Sequence, residues 1–155
     1  SLARVRTTSG DVAVVKDMNR DLPRLYCDAE QLKQVFLNIV NNALDAMPRG
    51  GTLTVRSRSE GDGTVAVQFI DTGTGIPPQV MRRLFEPFFT TKPHGRGTGL
   101  GLAVSLQIVR SHGGTIKVES EENRGSTFTV YLPVAPPEDE RMVISLGQGK
   151  DTGRG

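Results

Sequence analysis

Residues 28–47 read DAEQLKQVFLNIVNNALDAM, and the fold turns on what they form. Leu32, Val35, Phe36, Ile39, Val40, Ala43 and Met47 recur three or four residues apart, the spacing that gathers apolar side chains on one helix face. Asp28 ahead of the run, with Gln31 three residues on, is a helix-start signal, and PRGG at 48–51 stops the helix and turns the chain. Beside the apolar face Asn38, Asn42 and Asp45 fall within about 60° of one another at about 100° per residue, at the core's edge rather than opposite it.

Working outward, DVAVVKD at 11–17 reads as a strand followed by the turn-like MNRDLPRL, while the polar opening SLARVRTTSG is ambiguous. GTLTVRSRS (51–59) and GTVAVQFID (63–71) alternate cleanly and are joined by EGDG as a hairpin. QVMRRLFEPF (79–88) gives a short helix, and FTTKPHGRGTG (89–99) a polar, glycine-bearing loop. A second long helix, LGLAVSLQIVRSH, ends at Gly113, and residues 114–134 form two strands around an ENRG turn. Two hairpins with few crossovers predict an α+β chain: a two-layer α/β sandwich with helices on one face of a mixed sheet.

At 155 residues the chain fits one domain, placed at 1–133, with 134–155 read as a flexible tail or linker because APPEDE and LGQGKDTGRG lack an apolar period. The net charge of +2 is spread along the chain, so no basic run argues for nucleic acid. Apolar runs such as VAVQFI fall short of the roughly 20 residues of a membrane span, and no signal peptide opens the chain. No direct membrane contact is expected. The lone Cys27 excludes an internal disulfide and fits a reducing, cytoplasmic location, which leaves open a membrane-anchored parent protein.

Three short constellations carry chemistry. Asparagine is a poor helix former, so Asn38 and Asn42 need a reason: hydrogen bonds to neighbouring loops, or a carboxamide oxygen that joins phosphate oxygens and water around Mg²⁺. DTGTGIP sets Asp71 at a strand end with Gly73 and Gly75 behind it, either a turn with an Asx hydrogen bond or an acceptor for an adenine amino group with room for a flat ring. GRGTGLGLAVSLQIV (95–109) crowds four glycines at a helix entrance, where glycine costs about 1 kcal/mol relative to alanine inside a helix. Amides of Gly97, Gly99 and Gly101 at that entrance suit a phosphate. The spacing matches neither GxxxxGK[ST] nor a dinucleotide fingerprint, which needs a strand just before the glycines.

LNIVNNALDAM, DTGTGIP, LFEPFFTTK, GTGLGLAV and GSTFTVYLP follow one another in this order. They resemble the N box, first glycine box, F box, second glycine box and final Gly-Thr element of the catalytic, ATP-binding domain of bacterial two-component sensor histidine kinases. The likeness spans about Asp28 to Pro133. It implies the Bergerat (GHKL) sandwich shared with gyrase-like and chaperone ATPases, holding Mg·ATP under a mobile lid over about Pro87 to Arg96. It further implies Asn42 as the Mg²⁺ ligand, with Asn38 one turn before and Asp45 and Ala46 just after on the nucleotide side. Asp71 is similar to the adenine-reading carboxylate, Gly73 and Gly75 to the ring edge, Ile76 to an apolar wall, and Thr127 to the threonine that holds a water against Asp71. Gly97, Thr98, Gly99, Leu100, Gly101 and Leu102 match the phosphate side, while Phe85, Phe88 and Phe89 resemble the lid-pinning F box. Lys92 and Arg96 are either the cations on the β- and γ-phosphates or solvated loop charges.

Two departures bear on chemistry. Many better-known kinase domains of the family carry a lysine or arginine three residues after the magnesium asparagine, where this chain has Asp45, so the burden shifts to Lys92 and Arg96. Water-hydrolysing relatives place a glutamate base where Asn38 stands, and an amide takes no proton from water. The expected activity is ATP-dependent histidine kinase, with Asn38, Asn42, Lys92 and Arg96 as catalytic residues. Neither His94 nor His112 has the context of an acceptor, so the phosphoryl group is expected to go to a dimerisation and histidine-phosphotransfer domain of the same parent, and thence to a response regulator. A hydrolysing or serine-phosphorylating relative, and a non-catalytic nucleotide sensor, stay as alternatives.

Overall fold

The computed structural model describes residues 10–92 and 99–134, together with the backbone of 2–6. Six strands, β1 (Leu2–Arg6), β2 (Asp11–Asp17), β3 (Gly51–Ser59), β4 (Thr64–Asp71), β5 (Thr115–Glu121) and β6 (Gly125–Pro133), form one sheet in the order β1-β2-β3-β4-β6-β5. Only β2 and β3 run parallel, since the chain between them crosses over through helix α1 (Ala29–Asp45); the other neighbours are antiparallel. Among the described residues the other helices are a single turn, α2 (Pro78–Met81), and α3 (Gly101–Ser111). This is the expected mixed two-layer sandwich.

Side chains on a strand alternate between faces, and β4 and β6 show what that does. Val65, Val67 and Phe69 pair with Leu132, Val130 and Phe128, all buried on the face that meets the helices. From α1, Leu32, Val35, Ile39 and Ala43 close over them, and from α3, Ile108 and Val109. Phe36 adds a tilted ring contact with Phe69, centroids 5.6 Å apart. Burying one such large apolar side chain is worth about 1.5–3 kcal/mol, so this shared layer is the main term holding helices to sheet.

The two helices are also tied to each other at both ends. The Asp28 side chain caps α1 by accepting from Gln31 N at 3.1 Å, and Asp28 N donates to His112 Nε2 at the C-terminal end of α3 at 3.0 Å. Towards the other end Asn38 Nδ2 donates to Gly101 O and to Ser105 Oγ, each at 3.1 Å. The helices therefore lie antiparallel, and the C-terminal half of α1 faces the start of α3.

The structure resolves one ambiguous stretch and corrects one expectation. The opening segment contains a strand, β1, whose pairing with β2 (Val5 with Val12, Ala3 with Val14) supplies a partner that its own polar flanks do not announce. The helix read over 79–88 is one turn long, because after Arg82 the backbone bonds reach back three residues, as in Arg83 N to Val80 O and Glu86 N to Arg83 O. The expected tail lies outside the described residues from 135 onward.

Candidate nucleotide site

The Asp71 loop is built rigidly. Asp71 closes β4 on the core face, and its Oδ1 accepts from Gly73 N at 2.9 Å and from Ser126 N at 3.2 Å. Thr74 N donates to Ala46 O at 3.0 Å, Asn123 N donates to Thr74 O at 2.6 Å, and Ile76 N donates to Ser120 Oγ at 2.8 Å. The loop is thus pinned to the end of α1 on one side and to the β5–β6 turn on the other. Asp71 is only 5% exposed, and burial raises its carboxyl above the ordinary value while the Gly73 and Ser126 amides pull the other way. Among the described residues Oδ2 accepts no hydrogen bond. Since no fully buried side-chain polar atom among the described residues lacks a partner, Oδ2 keeps contact with the outside. It is an acceptor held ready for an external donor.

Gly73 and Gly75 are glycines for a reason the sequence did not reveal. A Cβ on Gly73 would collide with the Ala46 carbonyl, and one on Gly75, whose φ is +73°, with the Glu121 carbonyl. Close backbone approach within the fold explains both, whatever lies on the loop's open side. Ile76 packs partly buried against the core.

Register, not residue type, decides which hydroxyl lies beside Asp71, and it is not that of Thr127. Thr127 pairs with Ile70 and so points to the sheet face away from the helices, whereas Ser126 pairs with Asp71. Ser126, 6% exposed and bonded through Oγ to Ser120 Oγ at 2.8 Å, is the hydroxyl beside the carboxylate. Counting back by twos from Leu132, Val130 and Phe128 would have found it.

Along α1 the polar stripe divides into two jobs. Asn38 spends its amide nitrogen on the first turn of α3, where Ser105 Oγ also donates to Gly101 O at 2.7 Å; only its Oδ1 is left for another partner. Asn42 points its Oδ1 at Lys92 Nζ, 3.4 Å away, and the same ammonium lies 2.5 Å from Asp45 Oδ2. Ala46 caps the helix, its N–H on Asn42 O and its carbonyl on the Asp71 loop. One stretch of α1 therefore joins the carboxylate loop, the loop lysine and the α3 entrance.

At that entrance Leu100 caps α3 without a side-chain hydrogen bond, and no acidic residue sits in the first turn, which leaves the helix dipole available to an anion. Gly99, at φ +72°, is forced by the approach of the Phe88 backbone, whose N–H donates to Gly99 O at 2.9 Å. Gly101 differs: a Cβ there would meet nothing nearer than the Asn38 carboxamide at 3.7 Å, an ordinary contact. Leu102 turns towards the core. Arg96, Gly97, Thr98 and His94 lie outside the described residues.

Among the described residues no three His, Cys, Asp or Glu side chains gather where they would hold a metal unaided. The Asn42 amide oxygen on α1, with the Asp45 carboxylate already paired to Lys92, fits a hard cation that brings most of its own oxygen ligands. No helix among the described residues is long and apolar enough to cross a membrane.

Residues 27–136 match the family model described as histidine kinase-, DNA gyrase B- and HSP90-like ATPase. The chain is 42% identical over 140 residues to sporulation kinase E of Bacillus subtilis, which covers 90% of this chain and 19% of that protein. It is 46% identical over 116 residues to the sensor histidine kinase ZraS of Salmonella typhi, covering 75% and 24%. The chain thus spans about a fifth to a quarter of these relatives. Among solved structures, the catalytic domain of histidine kinase ThkA superposes with TM-score 0.70 at 32% identity, covering 81% of this chain and 82% of that one. Full-length ShkA in complex with AMPPNP gives TM-score 0.71 at 28% identity, covering 81% and 26%.

Proposed function

The chain belongs to the histidine kinase-, DNA gyrase B- and HSP90-like ATPase family, and from that premise we propose that it binds Mg·ATP and donates the γ-phosphoryl group to a histidine of a separate dimerisation domain in the same parent kinase. A response regulator would receive the group from that domain; a ThkA structure superposing with TM-score 0.67 at 30% identity, over 82% of this chain and 35% of that one, is described as a complex with the response regulator TrrA.

The observation that carries the proposal is Asp71, whose Oδ1 is satisfied from within and whose Oδ2 accepts nothing from the described residues. A purine amino group is the donor it fits. From there the α1 end leads to Asn42, Asp45 and Lys92, and through Asn38 to the Gly101 turn. A triphosphate along that path would have its charge met by the Lys92 ammonium, with Arg96 a further candidate, and by the α3 amides. Gly97 and Thr98 would extend the same phosphate side. Asn42 would hold Mg²⁺ through Oδ1, and the metal would neutralise phosphate charge as the bond to the leaving group breaks. The protein's share is positioning and charge neutralisation.

Transfer to imidazole is favoured over hydrolysis because Asn38, one turn before Asn42, is an amide already donating to Gly101 O and Ser105 Oγ. It cannot serve as a base for water. The test mixes the chain with the dimerisation domain of its parent and γ-labelled ATP. Acid-labile phosphohistidine that disappears with Asn42→Ala supports the proposal. Nucleotide binding without phosphohistidine would leave a nucleotide sensor, and rapid steady-state ATP hydrolysis by the chain alone a hydrolysing relative.

A further inference from the structure

We propose that Asp45 is a positioning residue for Lys92: it holds the ammonium beside Asn42 before nucleotide arrives, so that the phosphates meet a cation already in place. This rests on the nucleotide-binding reading above and adds a partner residue to it. Asp45 and Asn42 stand three apart on α1, on one side of the helix. Their oxygens converge on Lys92 Nζ from 2.5 and 3.4 Å. The lysine's backbone is set by a local turn, its N–H donating to Thr90 Oγ1 at 3.1 Å.

The Lys92 side chain is 34% exposed and that of Asp45 55%, and ion pairs this open contribute little to holding a fold. Their effect falls on where the ammonium sits. An ammonium has three N–H donors; when Mg·ATP takes over the Asn42 oxygen, the bond to Asp45 is kept and the other donors can reach phosphate oxygens. A lysine free to sample its rotamers would lose that freedom on binding. Holding it beforehand is worth about two- to tenfold in affinity.

An opposing effect is the carboxylate's own repulsion of the phosphates. With Lys92 in direct contact, Asp45 is half of a neutral pair, and its residual repulsion across a solvated cleft is screened. Ordering therefore outweighs repulsion, and removing Asp45 should weaken nucleotide binding although it removes a negative charge.

The experiment is a titration of the full chain with a fluorescent ATP analogue in Mg²⁺, each variant first checked for a native circular dichroism melt. Lys92→Ala should weaken binding about tenfold or more. Asp45→Ala and Asp45→Asn should each weaken it about two- to tenfold, and Asp45→Glu should recover most of the loss. Asp45→Ala made on top of Lys92→Ala should cause no further loss, and exchanging the pair (Asp45→Lys with Lys92→Asp) should bind better than Lys92→Asp alone. Tighter or unchanged binding in Asp45→Ala, or a loss that adds fully to that of Lys92→Ala, overturns the inference while native binding leaves the nucleotide reading standing. No binding by the native chain overturns both.

Discussion

Replacing Asp71 with asparagine separates what the carboxylate does for the fold from what it does for a ligand. Oδ1 accepts two backbone hydrogen bonds, from Gly73 N and Ser126 N, so an asparagine is obliged to put its own oxygen there and its NH₂ where Oδ2 now stands. The outward acceptor becomes a donor. An adenine amino group then loses a bond to a charged acceptor, which costs about 1.5–3 kcal/mol. That is a weakening of about 10- to 150-fold in Kd. Stability should move the other way or not at all. The folded-state pKa of Asp71 is raised by burial, so its contribution to stability is complete below the unfolded-state value of about 3.9 and is lost as pH rises through the folded value. At neutral pH the ionised carboxylate is a cost that asparagine removes. Calorimetric titration with ATP and GTP, alongside thermal melts at acid and neutral pH, reads both quantities. The variant should lose ATP affinity, gain relative affinity for GTP, whose ring presents a carbonyl, and melt no lower than native at neutral pH. ATP affinity within about twofold of native, in a folded variant, would refute the reasoning.

The two glycines at the α3 entrance should respond oppositely. Gly101→Ala, with an ordinary 3.7 Å contact for its Cβ, should keep or raise stability by up to about 0.5 kcal/mol while weakening nucleotide binding; Gly99→Ala, at φ +72° against the Phe88 backbone, should lower the melting temperature. Paired melts and nucleotide titrations distinguish them. Asn38→Ala, which leaves α3 without its brace at Gly101 and Ser105, should cost about 1–2 kcal/mol in urea unfolding. Thr127→Ala should leave nucleotide affinity within about twofold of native, whereas Ser126→Val, placing an isopropyl group beside Asp71, should reduce it further than that.

Elements with a strong period were legible in the sequence. α1 announced both its buried face and its cap, and β3, β4, β5 and β6 announced their alternation, because in each the apolar side chains of one face pack into the core. β1 was hidden, since an edge strand between polar neighbours is stabilised by pairing with β2 rather than by its own pattern. In the candidate site, Asp71, Asn42 and the α3 glycines were singled out by residue type. What residue type could not supply was register and contact: Ser126 rather than Thr127 beside the carboxylate, Ala46 and Glu121 carbonyls filling the space at Gly73 and Gly75, and Asn38 turned towards α3. The Asp45–Lys92 pair joins residues 47 positions apart. No local pattern encodes it.

In the proposed function the end of α1, the Asp71 loop and the first turn of α3 surround one triphosphate. Amide NMR with a non-hydrolysable ATP analogue and Mn²⁺ in place of Mg²⁺ tests it most directly, because the paramagnetic ion broadens whatever lies near it. Shifts are expected at Asp71–Ile76 and at Gly99–Leu102, with broadening centred on Asn42. Broadening centred on the outer sheet face, around Gln68 and Thr129, or shifts confined to the α1 surface near Glu30 and Lys33, would contradict that arrangement.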